Sequence, residues 1–123
     1  MEPYLLQDEE LKELVFKIPG WEIKSKQIQR EFNFANFIEA FSFMTKIALI
    51  CEKYNHHPNW ENVYSKVIIR LNTHDLGGIT NLDQTLASEI NKIRKFKFLL
   101  DLSIVNFPAG YFYNQFLQCF ILQ

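Results

Sequence analysis

Three histidines are the residues of this chain best suited to proton transfer near neutral pH. His56 and His57 are adjacent and are followed by Pro58, and His74 comes directly after Thr73. Histidine is the one side chain whose unperturbed pKa lies close to neutrality. All three histidines fall within nineteen residues, so their spacing predicts acid–base chemistry at a single site.

A long helix is predicted to place the histidine pair. Apolar residues recur at positions 37, 40, 41, 44, 47, 48 and 51, and Asn36 followed by Glu39 is typical of a capping box. The predicted helix runs from Phe37 to about Tyr54. Pro58 disfavours a helical conformation at the preceding residue, so the helix should end at or before residue 55. The pair would then lie just past a helix carboxyl terminus, on a rigid loop.

A strand is predicted to place the third histidine. The segment from Val63 to Asn72 reads as one long strand or two short ones, with Val67, Ile69 and Leu71 on one face. Thr73 and His74 would follow its end. If this strand packs against the long helix, the three imidazoles can converge on one concave site.

The remaining segments predict an α+β fold. A short helix after residue 8 ends at Pro19-Gly20, and alternating apolar residues from 21 to 34 indicate a hairpin. Gly77-Gly78 indicates a turn, and residues 80–83 open a last helix. The order is α-β-β-α-β-(β)-α. It predicts an antiparallel sheet of three to four strands, covered on one face by helices.

Composition narrows the classes of partner. The chain has 123 residues, 48% of them apolar, which suits one domain. Its 13 basic residues nearly balance its 14 acidic residues, so the charge gives no support for direct binding of nucleic acid. Cys51 and Cys119 lie far apart and form no CxxC motif. Met1-Glu2-Pro3 runs into acidic residues rather than a cleavable apolar segment, so the expected location is cytoplasmic.

The last part of the chain differs in composition from the rest. No charged residue occurs from Leu102 to Gln123, and six of the twelve phenylalanines lie at or after Phe96. The predicted boundary therefore separates a domain at 1–95 from an apolar extension at 96–123. The break at Pro108 and Gly110 disfavours a membrane anchor. Packing on an oligomer surface and lying at a membrane interface stay open, as does a tail without an evolved role, and we expect the extension to be dispensable for catalysis.

Several candidate residues also have a purely structural interpretation. Asp83 could complete a helix cap behind Thr80, Glu52 could be a solvated helix residue, and Trp21 could belong to the core. Three histidines with an open position could also hold zinc. Zinc is disfavoured because adjacent histidines rarely point both rings at one ion.

Two motifs raise the acid–base interpretation above these alternatives. His56-His57-Pro58-x-Trp60-x-Asn62-Val63-Tyr64 is followed by Thr73-His74-x-x-Gly77-Gly78. Together with Gly20-Trp21 and Glu52-Lys53, they make residues 8–93 closely resemble the pterin-4a-carbinolamine dehydratase family. The resemblance implies dehydration of 4a-hydroxytetrahydropterin to quinonoid dihydropterin in tetrahydrobiopterin recycling. It implies neither a metal nor a cofactor.

The resemblance also implies a set of site residues. The catalytic histidines correspond to His56, His57 and His74, and the substrate-binding residues to Trp21, Glu52, Asn55, Thr73 and Asp83. Of the histidines, His56 and His74 would be the principal acid–base residues and His57 would chiefly orient the pterin. Many animal members carry aspartate where this chain has Asn55. The amide keeps a hydrogen-bonding group but removes a charge beside the histidine pair.

A second function comes from another class of protein. Animal members of the family also bind and stabilise dimers of a homeodomain transcription factor through the long-helix face, here built from Phe37, Phe41 and Met44. The chain could therefore be a protein-interaction module, which would make a nuclear location an alternative. Because the family dimerises by sheet extension and forms tetramers by helix packing, we expect a homodimer or a homotetramer.

Overall fold

The computed structural model describes the backbone of residues 1–104 and the side chains of residues 1–94, and the chain divides into two units, Met1–Ile93 and Arg94–Gln123. In chain order the elements are α1 (Asp8–Lys17), β1 (Glu22–Lys24), β2 (Gln27–Asn33), α2 (Phe37–Tyr54), β3 (Asn59–Val63), β4 (Lys66–Leu71), a short 3-10 helix (His74–Leu76) and α3 (Asn81–Ile104). This order confirms the predicted α+β fold.

The four strands form one antiparallel sheet in the order β1-β2-β4-β3. Each outer strand joins its neighbour through a two-residue turn whose first residue has a positive φ, 56° at Ser25 and 53° at Tyr64. The second turn divides the segment predicted as one or two strands. Val63 therefore ends β3 rather than beginning a strand, and β3 itself starts four residues earlier, at Asn59.

One face of the sheet carries the core. Inward side chains of β2 and β4 pack with α2 and α3, and the buried set comprises Ile28, Phe32, Val67, Ile69, Leu71, Ala40, Phe43, Ile47, Cys51, Leu86, Ala87 and Ile90. Removing these apolar surfaces from water is the main favourable term in the folding of such a domain. The buried stripe of α2 runs through residues 40, 43, 47 and 51. Phe41, which the sequence pattern includes, is 55% exposed, whereas Phe43 is buried.

The two ends of α2 follow from local chemistry. Asn36 Oδ1 accepts the Glu39 N–H at 2.9 Å and caps the first turn. At the other end Asn55 adopts the left-handed conformation, with φ 48° and ψ 43°. The Asn55 N–H bonds Glu52 O, and the His56 N–H bonds Cys51 O at 3.1 Å. This pair of bonds is a Schellman motif, which ends the helix and fixes the backbone of His56.

Helix α3 continues past Lys95, the predicted end of the domain, and reaches Ile104. Residues 105–123, which make up most of the predicted apolar extension, lie outside the described residues. Within the described part of the chain, none of the helices combines the length and the apolar character needed to cross a membrane.

Candidate active site

The centre of the site is a buried pair formed by His56 and Asp83. The Schellman motif places His56 just after α2, and Asp83 lies in the first turn of α3. His56 Nε2 lies 2.6 Å from Asp83 Oδ1, and the Asp83 side chain is fully buried. A carboxylate without solvent is stabilised only by donors around it. The local sequence provides those donors.

Three donors lie within hydrogen-bond distance of the second oxygen of Asp83. Its Oδ2 accepts the Thr80 N–H at 2.8 Å, and the hydroxyls of Thr80 and Thr73 lie 3.2 Å and 3.1 Å from it. Since Thr80 directly precedes α3, Asp83 occupies the third position of the helix, where its side chain caps the helix by accepting the Thr80 N–H, while Thr80 Oγ1 accepts the Leu82 N–H at 3.3 Å. The structural interpretation of Asp83 as a cap residue is therefore correct. The same carboxylate also holds His56 through its other oxygen.

The chemistry of Asp83 determines which nitrogen of His56 carries the proton. An ionised carboxylate only accepts hydrogen bonds, so Nε2 must donate. In the neutral imidazole Nδ1 then has the free lone pair. No bond joins Nδ1 to any of residues 1–94, and no side-chain nitrogen or oxygen in that range is both buried and unpartnered. His56 can therefore take a proton at Nδ1 while Asp83 stabilises the resulting cation.

The second histidine has an exposed carboxylate partner. His57 Nε2 lies 2.7 Å from Oε1 of Glu52, which belongs to the last turn of α2, and the two side chains are 56% and 78% exposed. The structure thus brings together the predicted residues Glu52 and His57. Because solvent screens an exposed pair, its contribution to stability is small. The main effect of the pair is to orient the imidazole ring of His57.

His74 opens the short 3-10 helix and is exposed. Its backbone is held by the adjacent Thr73, which pairs with Gly78 in an antiparallel bridge. Thr73 Oγ1 also lies 2.6 Å from Thr80 Oγ1. In the part of the chain with described side chains, no hydrogen bond or ion pair engages the His74 ring. Hydrogen bonds therefore join His56, Asp83 and Thr73 into one network, and His74 is linked to it only along the backbone.

The last two predicted residues lie in different settings. Asn55 is the exposed left-handed residue that ends α2, a conformation that asparagine tolerates better than most residues. Trp21 is buried, packs edge-to-face on Phe32, and donates its Nε1–H to Asn91 Oδ1 at 3.0 Å. Asn91 Oδ1 also accepts from Arg30 at 2.6 Å. The described bonds of Trp21 thus belong to a network separate from that of His56.

Thr80 is the network residue absent from the predicted site. It contributes two of the donors to Asp83 and contacts Thr73 directly. Its spacing from Asp83, the capping-box interval, is the signal in the sequence that could have identified it.

Neither the Cys51 thiol nor a metal site adds to the candidate site in the described part of the chain. Burial of Cys51 in the core raises the pKa of its thiol to about 11, so the side chain stays a neutral thiol. Among residues 1–94, His, Cys, Asp and Glu side chains do not assemble in threes into a set that could hold a metal ion. The donors of the site instead bond one another.

Comparison with known sequences assigns the chain to a family. Residues 4–93 match the family described as Pterin 4 alpha carbinolamine dehydratase. The chain therefore belongs to the pterin 4 alpha carbinolamine dehydratase family.

Relatives and a solved structure agree with this assignment. A Prochlorococcus marinus (strain AS9601) protein named "Putative pterin-4-alpha-carbinolamine dehydratase" is 92% identical over 93 residues, which cover 76% of this chain and 97% of that protein. A relative of the same name from Prochlorococcus marinus (strain NATL2A) is 52% identical over 89 residues, covering 72% of this chain and 94% of that protein. The crystal structure of transcriptional coactivator/pterin dehydratase from Brucella melitensis superposes with a TM-score of 0.69 at 39% identity, covering 72% of this chain and 96% of that chain.

Proposed function

We propose that this chain dehydrates 4a-hydroxytetrahydropterin to quinonoid dihydropterin, as a hydro-lyase in tetrahydrobiopterin recycling. Membership of the dehydratase family supports the reaction class. The observation that carries the mechanism is the buried pair of His56 and Asp83, which leaves one imidazole nitrogen as an unbonded acceptor. Proton transfer is what this reaction requires.

The reaction breaks two bonds and forms a double bond. An acid protonates the hydroxyl on C4a, the C4a–O bond breaks, and water leaves. A base takes the proton from the neighbouring ring nitrogen, whose electron pair forms the C4a–N double bond. We assign the base to His56 Nδ1, because the Asp83 carboxylate stabilises the imidazolium that forms. A base and an acid held in position each contribute roughly 10²–10⁴-fold in rate.

The other two histidines take different roles in this mechanism. His74 is the acid, since it is exposed and its ring has no carboxylate partner among residues 1–94 that would hold it in one tautomer. His57, which Glu52 orients, binds the pterin. Asn55 and Thr73 line the same site in this proposal, with Trp21 at its edge. The mechanism uses no metal and no cofactor.

A dehydratase assay with the purified full chain tests the proposal. The loss of 4a-hydroxytetrahydropterin is followed by absorbance against the uncatalysed rate. The wild-type chain should accelerate it, and replacing His56 and His74 together with Ala should abolish the acceleration. His57→Ala is the contrasting variant, and we expect it to raise KM more than it lowers kcat. Near-wild-type turnover in the double variant would overturn the assignment.

A second role, in protein interaction, is supported by one surface. Phe37, Ile38, Phe41 and Leu49 of α2 are exposed, Ile38 by 75%. The rings of Phe37 and Phe41 are in contact, with centroids 5.5 Å apart, and exposed apolar patches are typical of interaction sites. The Brucella melitensis protein is named a transcriptional coactivator as well as a pterin dehydratase. We propose that this α2 face binds another protein, either a second copy of the chain in a homo-oligomer or a transcription factor.

Light scattering separates the two partners. If the α2 face joins copies of the chain, Phe41→Glu should lower the molar mass in solution at micromolar concentration. The matched control is Phe16→Glu, which changes an equally apolar and more exposed residue on α1. A monomeric wild-type chain would contradict self-association and leave the face to a different protein.

A further inference from the structure

The amino-terminal segment is bonded to the residues that begin α3. We call residues 2–6 the amino-terminal strap. Leu5 and Thr80 form an antiparallel bridge, and the Leu6 N–H bonds Ile79 O at 2.9 Å. Asn81 closes the contact in both directions. Its N–H bonds Tyr4 O at 3.2 Å, its Oδ1 accepts the Tyr4 N–H at 2.9 Å, and its Nδ2 donates to Glu2 O at 3.1 Å.

Residues 78–80 bond the strap on one side and the backbone beside His74 on the other. Thr73 N–H bonds Gly78 O at 2.8 Å, and the two residues form an antiparallel bridge. Residues 78–80 therefore lie between the strap and Thr73. Thr80 belongs to this middle segment and supplies two donors to Asp83. A displacement of the middle segment would thus change the donors around Asp83.

The strap contributes more through hydrogen bonds than through buried apolar surface. Tyr4 and Leu5 are 53% and 41% exposed, and only Leu6 reaches the core. The apolar contribution of Tyr4 and Leu5 to folding is correspondingly small. Their bonds instead restrict the short segment that carries Thr80. This distribution is expected of an element that orders a site locally.

We propose that the amino-terminal strap is a positioning element of the active site: by fixing residues 79–81 it holds Thr80 and Asp83 in place, and so keeps the proton of His56 on Nε2. The inference rests on the proposed dehydratase function. Asn81 is its key positioning residue, because its side chain makes two bonds to the strap and none to His56 or Asp83. The effect of the strap on catalysis is transmitted through the Asp83 carboxylate.

Asn81→Ala tests this role in the full chain. The substitution removes both side-chain bonds to the strap at the first position of α3, where alanine is well tolerated. We expect kcat for dehydration to fall at least about fivefold with KM nearly unchanged, because two bonds are lost and one net hydrogen bond alone corresponds to about fivefold. The matched control is Gln84→Ala. It removes an amide three residues later on α3 that has no side-chain bond among residues 1–94, and it should leave both constants unchanged.

A second measurement separates positioning from a loss of folding. The ¹⁵N chemical shifts of the His56 ring report its tautomer. In the folded wild-type chain and in Gln84→Ala they should show the proton on Nε2, and in folded Asn81→Ala a larger share should be on Nδ1. An unchanged tautomer in Asn81→Ala would overturn the inference, even if kcat fell. The tautomer needs no turnover, so this result stands even if the wild-type chain proves to have no dehydratase activity.

Discussion

Replacing Asp83 with asparagine changes the tautomer of His56 with little change in shape. Three donors surround Oδ2 of Asp83, namely the Thr80 N–H and two threonine hydroxyls. The asparagine oxygen should occupy that position, so its NH₂ group would face His56. An NH₂ group donates, and Nε2 of His56 would then have to accept. The proton of the neutral imidazole would move to Nδ1, the nitrogen assigned as the base.

The bond lost gives the magnitude of this effect. His56 Nε2 and Asp83 Oδ1 lie 2.6 Å apart, and the carboxylate is fully buried. Hydrogen bonds to charged groups contribute about 1.5–3 kcal/mol net. At the upper part of that range, about 2–3 kcal/mol, the loss of tautomer preference corresponds to roughly 30- to 150-fold in rate. We therefore expect kcat of Asp83→Asn to fall on the order of 100-fold.

The assay compares kcat for carbinolamine dehydration in the two proteins, with the fold of the variant checked by urea denaturation. Helix α3 should keep its cap, because the amide oxygen still accepts the Thr80 N–H. The matched variant is Thr73→Val. It removes one neutral donor to Asp83 and leaves the bond to His56, so its effect on kcat should be less than about tenfold. If Asp83→Asn stays within about twofold of wild type, the assignment of His56 Nδ1 as the base is refuted.

Three further outcomes follow from the same contacts. Ile47→Ala removes a fully buried side chain of α2 and should lower the free energy of unfolding in urea by about 2–5 kcal/mol. Leu49→Ala, at an exposed position of the same helix, should change this free energy by less than about 0.5 kcal/mol. In a Cys119→Ser background, the free energy of unfolding should decrease as the pH rises from 9.0 towards about 11. In that interval only the unfolded chain loses the Cys51 proton. Cys51→Ala should therefore remove this part of the dependence of the free energy of unfolding on pH. Glu52→Gln should change the free energy of unfolding by less than about 0.5 kcal/mol, because the pair with His57 is exposed. It should raise KM in the dehydratase assay, because the His57 imidazole would be held less firmly in one orientation.

Local signals in the sequence were enough to predict α2 and its ends. The Asn36 cap and the termination before Pro58 depend on bonds within one or two helical turns. The position of His56 just past the helix was predictable for the same reason. The buried stripe was predicted less well. Packing against the sheet decides that Phe43 faces inward and Phe41 outward, and a pattern of apolar residues contains both.

Features that depend on distant contacts could not be predicted in this way. Strand β3 is an edge strand of mostly polar residues, and the turn after it contains Tyr64 rather than the usual glycine or asparagine. The bond between His56 and Asp83 joins residues twenty-seven positions apart. The amino-terminal strap pairs with residues more than seventy positions away. Nothing in the local sequence of either segment indicates these partners.

Chemical rescue of a His56 variant tests the central claim most directly. His56→Gly removes the imidazole and leaves an opening beside the Asp83 carboxylate. The dehydratase rate of this variant should fall by roughly 10²–10⁴-fold, the contribution assigned to the base, and added imidazole should restore it in proportion to its concentration. The same imidazole should have no effect on wild type and should not raise kcat of His57→Gly. Dehydration by His56→Gly at the wild-type rate without imidazole would contradict the account.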